Sequence, residues 1–63
     1  MINFTYKRTE DGETWTVHKN DFVFEITECD CEYILVSLLD HHICEQSIFS
    51  TPQEALNYIE LNY

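Results

Sequence analysis

Two stretches of alternating apolar and polar residues meet at Asp11-Gly12, and that junction restricts the fold more than any other feature of the chain. Ile2, Phe4 and Tyr6 alternate with Asn3, Thr5 and Lys7, the period of a half-buried strand. Asp-Gly is a favoured pair for a two-residue type I′ hairpin turn. With Asp11 and Gly12 at the turn centre, Glu10 faces Glu13, Arg8 faces Trp15 and Tyr6 faces Val17. Tyr6, Trp15 and Val17 then share one side of the sheet, with Lys7, Thr9, Thr14, Thr16 and His18 on the other. Arg8 opposite Trp15 predicts a guanidinium stacked on an indole. Pattern and turn chemistry agree on these faces, and a one-residue slip would turn every apolar side chain to solvent.

The alternation continues beyond Lys19-Asn20-Asp21. Phe22, Phe24 and Ile26 against Val23, Glu25 and Thr27 read as a third strand, with Cys29-Asp30-Cys31 as the turn after it. Tyr33 to Leu39 is apolar on both faces and predicts a central strand, although a buried helix from Asp30 has nearly the same signature. After a turn at Asp40-His41-His42, a shorter strand places Ile43, Glu45, Ser47 and Phe49 on one face and Cys44, Gln46 and Ile48 on the other. Thr51 as N-cap, Pro52 at the first helical position and Glu54 at the third open a helix. It carries Ala55, Leu56, Ile59 and Tyr63 on one side and Gln53, Glu54, Asn57 and Glu60 on the other. The expected fold is α+β, a small antiparallel meander of four or five strands packed against one C-terminal helix, in a single domain over residues 1–63 without internal repeat or linker.

Sixty-three residues bury only ~60% of the surface that the unfolded chain exposes, so a substrate cleft would have to be cut from a core with little to spare. The single Gly belongs to a turn, so no glycine-rich phosphate loop is present. No carboxylate pair sits in an evident cleft, and Cys44 beside His41 and His42 lies in acidic surroundings that disfavour thiolate. The chain is read as not an enzyme. Disorder is countered by an apolar content of 44% that includes four Phe, four Tyr and one Trp. The absence of a long apolar run and of a basic, then apolar, start predicts a complete cytoplasmic protein that neither crosses nor binds a membrane.

The net charge of −9 lies wholly in residues 20–63, which contain nine acids and no Lys or Arg. Glu10, Asp11 and Glu13 offset Lys7, Arg8 and Lys19 before them. Such a surface repels phosphate backbones and attracts cationic clefts, so direct nucleic-acid binding is the least expected partner class and basic protein surfaces become the expected partners. The partner-binding candidates are Asp21, Glu25, Glu28, Asp30, Glu32, Asp40 and Glu45. Crowded carboxylates raise one another's pKa, which predicts a fold that gains stability as pH falls from 7 toward about 5. An apolar strand with one helix to cover it also favours a homodimer, against which two copies of the same charge repel.

Cys29, Cys31 and Cys44 are an odd set in a chain without an export signal and are expected as reduced thiols. Together with His41 and His42 they are the one ligand-like constellation, and a zinc-stabilised structural or assembly module is the alternative reading. An extended strand from 32 to 39 rises ~3.3 Å per residue and holds the two halves of that set some 25 Å apart. Within one chain the meander therefore excludes the ion, and no cofactor or metal is expected.

The segment Ile48-Phe49-Ser50-Thr51-Pro52-Gln53-Glu54-Ala55-Leu56-Asn57-Tyr58-Ile59-Glu60 resembles the strand-to-helix close of small sheet-plus-helix domains, among them the arm-binding domains of phage-type integrases. That resemblance implies the fold. Those domains bind DNA through a basic sheet, and this sheet is acidic. The overall profile resembles the small acidic proteins that phages make to block host or defence machinery, several of which imitate nucleic-acid charge. Composition and resemblance together lead to the expectation of a non-enzymatic inhibitor module that occupies a basic, nucleic-acid-binding surface of another protein.

Overall fold

Four two-residue reversals divide the sheet into strands on a spacing of ten residues. The computed structural model describes residues 3–63. It contains β1 (Phe4–Thr9), β2 (Gly12–Lys19), β3 (Phe22–Cys29), β4 (Glu32–Leu39), β5 (His42–Phe49) and α1 (Pro52–Asn62). All neighbours pair antiparallel in the order β1-β2-β3-β4-β5, the expected five-stranded meander with one C-terminal helix. Residues 33 to 39 are strand and not helix. The expected strand position of Ile2 lies outside the described residues.

Turn chemistry explains the spacing. Asp30 and Cys31 have φ of 50° and 66°, and Asp40 and His41 have 51° and 66°, the left-handed pair of a type I′ turn whose twist matches the flanking strands. In the β2–β3 turn Asn20 takes φ 57°. Asp and Asn tolerate this region because their short side chains bond locally, whereas Cys31 and His41 have no such compensation. Replacing Cys31 or His41 by Gly should therefore raise stability by up to about 1 kcal/mol each, read as a higher urea midpoint at unchanged slope. A lower midpoint would show that the side chain contributes more than its backbone strain costs.

The first hairpin departs from expectation. Its turn is Glu10-Asp11, and Gly12, with φ 134°, is the first residue of β2. Thr9 closes the turn, its Oγ1 accepting from the Asp11 N–H at 3.2 Å and donating to the Gly12 carbonyl at 3.3 Å. A Cβ at position 12 would also lie 3.3 Å from the Glu28 carbonyl oxygen, so glycine serves both the dihedral and the close approach of β3. The register is thus Thr9 with Gly12, Arg8 with Glu13 and Tyr6 with Trp15, two residues from the expected pairing. An even slip preserves the faces. Arg8 faces Glu13, and the ring 5.2 Å from Trp15 is that of Tyr6.

One side of the sheet carries the core, where Trp15, Val17, Phe24, Ile26 and Leu35 meet Ala55, Leu56 and Ile59 of α1. The helix begins as its sequence dictates, with Thr51 extended at φ −138° and its Oγ1 accepting from the Glu54 N–H at 3.2 Å. Its other end has no basic residue of its own in the last turn. Lys19 of β2 supplies that charge from across the fold, its Nζ donating to the Glu60 and Ile59 carbonyls at 3.1 and 3.5 Å, which favours the helix dipole. Asn20 Nδ2 donates to the Tyr63 carbonyl at 2.9 Å, tying the β2–β3 turn to the same helix end. Among the described residues no helix is long and apolar enough to cross a membrane.

Candidate functional site

Successive hairpins place their turns at alternate ends of the sheet, and successive strand residues point to alternate faces, so acids adjacent in sequence become distant in space. The seven candidate acids do not form one surface. Glu28, Asp30 and Glu32 gather at the end that holds the β1–β2 and β3–β4 turns, close to Glu10, Asp11 and Glu13. Asp21, Glu25 and Asp40 lie toward the opposite end, on or beside the face that α1 leaves uncovered. Glu45 stands apart, half-buried against the helix.

At the first end the negative potential is felt by phenols. Burial pushes the Tyr33 hydroxyl above its ordinary pKa, and the Glu28 and Glu13 carboxylates add to the effect. Tyr6 is raised first by the hydrogen bond its hydroxyl donates to Glu13 and then by burial.

Glu45 is committed to structure. Tyr58 and Tyr63 each donate a phenolic hydrogen bond to its carboxylate, and Ser47 Oγ donates at 3.3 Å. These donors hold its carboxyl below the usual range, Tyr58 most and then Tyr63. Tyr63 OH lies 3.4 Å from the Oγ of Ser37, the one fully buried polar residue of the described core. This network joins β4, β5 and α1, so Glu45 is a fastening of the helix, unlike its six companions. Nothing in the sequence distinguishes it, because only the packed helix brings two tyrosines to one carboxylate.

At the second end Val23 and Leu38 are cross-strand partners and floor a groove walled by Asp21, Glu25, Asp40 and His41, about 360 Å³ in volume. The groove continues into an apolar band. Ile34 pairs with Ile48 and Leu38 with Ile43 across β4 and β5, and Val36 lies between them. Simple alternation assigns Ile43 to the Glu45 side, and the structure corrects this. An irregularity between Ser37 and Leu38 leaves Cys44 as an extra residue on β5 and returns Ile43 to the register of Leu38. Ile43 and Ile48 are 67% and 61% exposed, which makes this the uncovered apolar face that one helix cannot reach.

The zinc alternative is not assembled within the chain. Cys29 ends β3 and Cys31 lies in the β3–β4 turn, whereas His41 lies in the opposite turn and His42 and Cys44 in the first residues of β5, beside the far end of β4, so most of the length of β4 at ~3.3 Å per residue separates the two groups. Among the described residues no group of three or more His, Cys, Asp or Glu is placed to hold a metal ion. All three cysteines are free and exposed. Comparison with protein-family models, with curated proteins and with solved structures gave no match.

Proposed function

We propose that this protein is a non-enzymatic acidic binding module of the cytoplasm that occupies a basic, nucleic-acid-binding surface of another protein and competes there with phosphate. The observation that carries this reading is the contrast between Glu45 and the other candidates. One carboxylate is consumed by the fold, while Asp21, Glu25, Asp30, Glu32 and Asp40 are exposed in a stretch of chain that contains no Lys or Arg. Exposed carboxylates carried on paired strands and two-residue turns are held at fixed spacing, so they meet a cationic groove with little ordering cost. Long-range attraction of this kind raises association rates and is screened by salt.

The test is retention of purified nucleic-acid-binding proteins on the immobilised chain. Retention at about 50 mM salt should fall at least ten-fold by about 500 mM, as the Debye length shrinks from ~14 Å toward ~4 Å. Added duplex DNA should displace the retained protein, because both ligands claim one surface. If no basic protein is retained at the lower salt, or if DNA displaces none, the reading is abandoned.

A further inference from the structure

The helix-free face combines two properties that the charge alone does not explain: an apolar band and a carboxylate-walled groove opening onto it. Solvent-facing sides of antiparallel sheets usually alternate toward polar residues, as the β1–β2 half does here with Thr5, Lys7, Thr14 and Thr16. The β4–β5 half instead presents Ile34, Val36, Leu38, Ile43 and Ile48.

We infer that this face is the docking surface for a cationic amphipathic segment of a partner protein. Aliphatic side chains of the segment cover Ile34, Val36, Ile43 and Ile48, and an Arg or Lys enters the groove. The stem of that cation lies on Val23 and Leu38, and its head reaches the carboxylates of Asp21, Glu25 and Asp40. The inference rests on the proposed function and deepens it by naming the face and the partner chemistry.

Charge complementarity selects this occupant. A second copy meeting the same face about a two-fold axis would bring two chains of net charge −9 together, with matching acidic rims and only Lys7 on the opposite half to answer them. An anionic lipid surface or a nucleic acid would be repelled by the same groove walls. A segment that is apolar along one stripe and basic beside it satisfies both halves of the surface.

Three synthetic helical peptides of about 18 residues, five turns, distinguish the outcomes. One has a leucine stripe flanked by arginines, one has the same stripe flanked by glutamates, and one has the arginines with serine in place of leucine. The leucine–arginine peptide should bind at least ten-fold more tightly than either of the others. In nuclear magnetic resonance titrations it should shift the amides of Val23, Val36, Leu38, Ile43 and Ile48. The pair Ile43→Ser with Ile48→Ser, and separately Asp21→Asn with Asp40→Asn, should each weaken it about ten-fold, a loss of ~1.4 kcal/mol. Glu10→Gln with Asp11→Asn, in the turn at the other end, should change affinity less than two-fold.

Both isoleucines are exposed, and the asparagine pair reports independently should their substitution disturb the fold. Equal weakening by the two acidic pairs, or shifts centred on Asp30, would overturn the docking face and leave the proposed function standing. Failure of both arginine peptides to bind at 50 mM salt counts against the proposed function itself. Concentration-dependent dimers that Ile43→Ser and Ile48→Ser abolish, with no peptide binding, would assign the face to a second copy and overturn the inference.

Discussion

Phe24→Ala should remove at least about a third of the stability of this fold, and at the upper end of the range all of it. Phe24 is fully buried, stacks on Phe22 at 5.8 Å and meets the Tyr63 ring edge-on at 4.7 Å, so its loss opens a cavity beneath the helix end. Truncating a buried Phe costs about 3–5 kcal/mol. A domain of this size holds only ~3–9 kcal/mol in total at the usual stability per residue. The same substitution at Phe4, which is 48% exposed on edge strand β1, should cost less than about 1 kcal/mol. Urea unfolding followed by Trp15 fluorescence measures both. A cooperative transition for Phe24→Ala with a midpoint near that of the parent would show that the core lies elsewhere.

The contrast between those two phenylalanines is only partly legible in the sequence. Alternation puts Phe4 and Phe24 on core-facing positions alike, and only the order of strands shows that β1 lies at an edge beyond the reach of α1. Local signals suffice where a residue answers to its own neighbours. Thr51, Pro52 and Glu54 announce the helix start, and the Phe22–Phe24–Ile26 alternation announces the buried side of β3. They fail where a distant group decides. Asp11-Gly12 has the composition of a type I′ turn centre, yet the Glu28 carbonyl and the Thr9 hydroxyl set the register with Gly12 outside the turn. Asp30-Cys31 and Asp40-His41 are weak turn pairs in isolation and adopt left-handed dihedrals because the strands on either side demand them.

The candidate site divides in the same way. Exposure and sign are readable from the acids themselves. Their partition between two sheet ends follows from topology, and the role of Glu45 from a helix that begins seven residues after it. Lys19, one of only three strong cations, reads in the sequence as a surface charge offsetting an acidic turn and in the fold caps α1.

Lowering the pH should weaken the fold once Glu45 begins to take up a proton. The folded chain holds the Glu45 carboxyl below its ordinary value of 4.5, chiefly through the Tyr58 hydroxyl and then that of Tyr63. A depressed folded-state pKa means that the unfolded chain binds the proton more readily. The contribution is therefore complete above pH 4.5 and is lost as pH falls through the folded value. The two phenols behave in the opposite sense. Their hydrogen bonds to Glu45 raise both above 10.0, so their contribution is present below pH 10 and disappears as pH rises through the folded values. Stability contributed by this network should form a plateau between those limits, with Glu45 closing it on the acid side and Tyr58 and Tyr63 on the alkaline side. Glu45→Gln should cost about 1–2 kcal/mol at pH 7, toward the low end for a charged acceptor because solvent reaches the group from one side. It should also flatten the loss below pH 4.5 in urea titrations and bring the phenolate absorbance change of Tyr58 and Tyr63 closer to pH 10. If Glu45→Gln leaves both the acid limb and the phenol titration where they were, the carboxylate does not fasten the helix, and Glu45 returns to the set of free acids available to a partner.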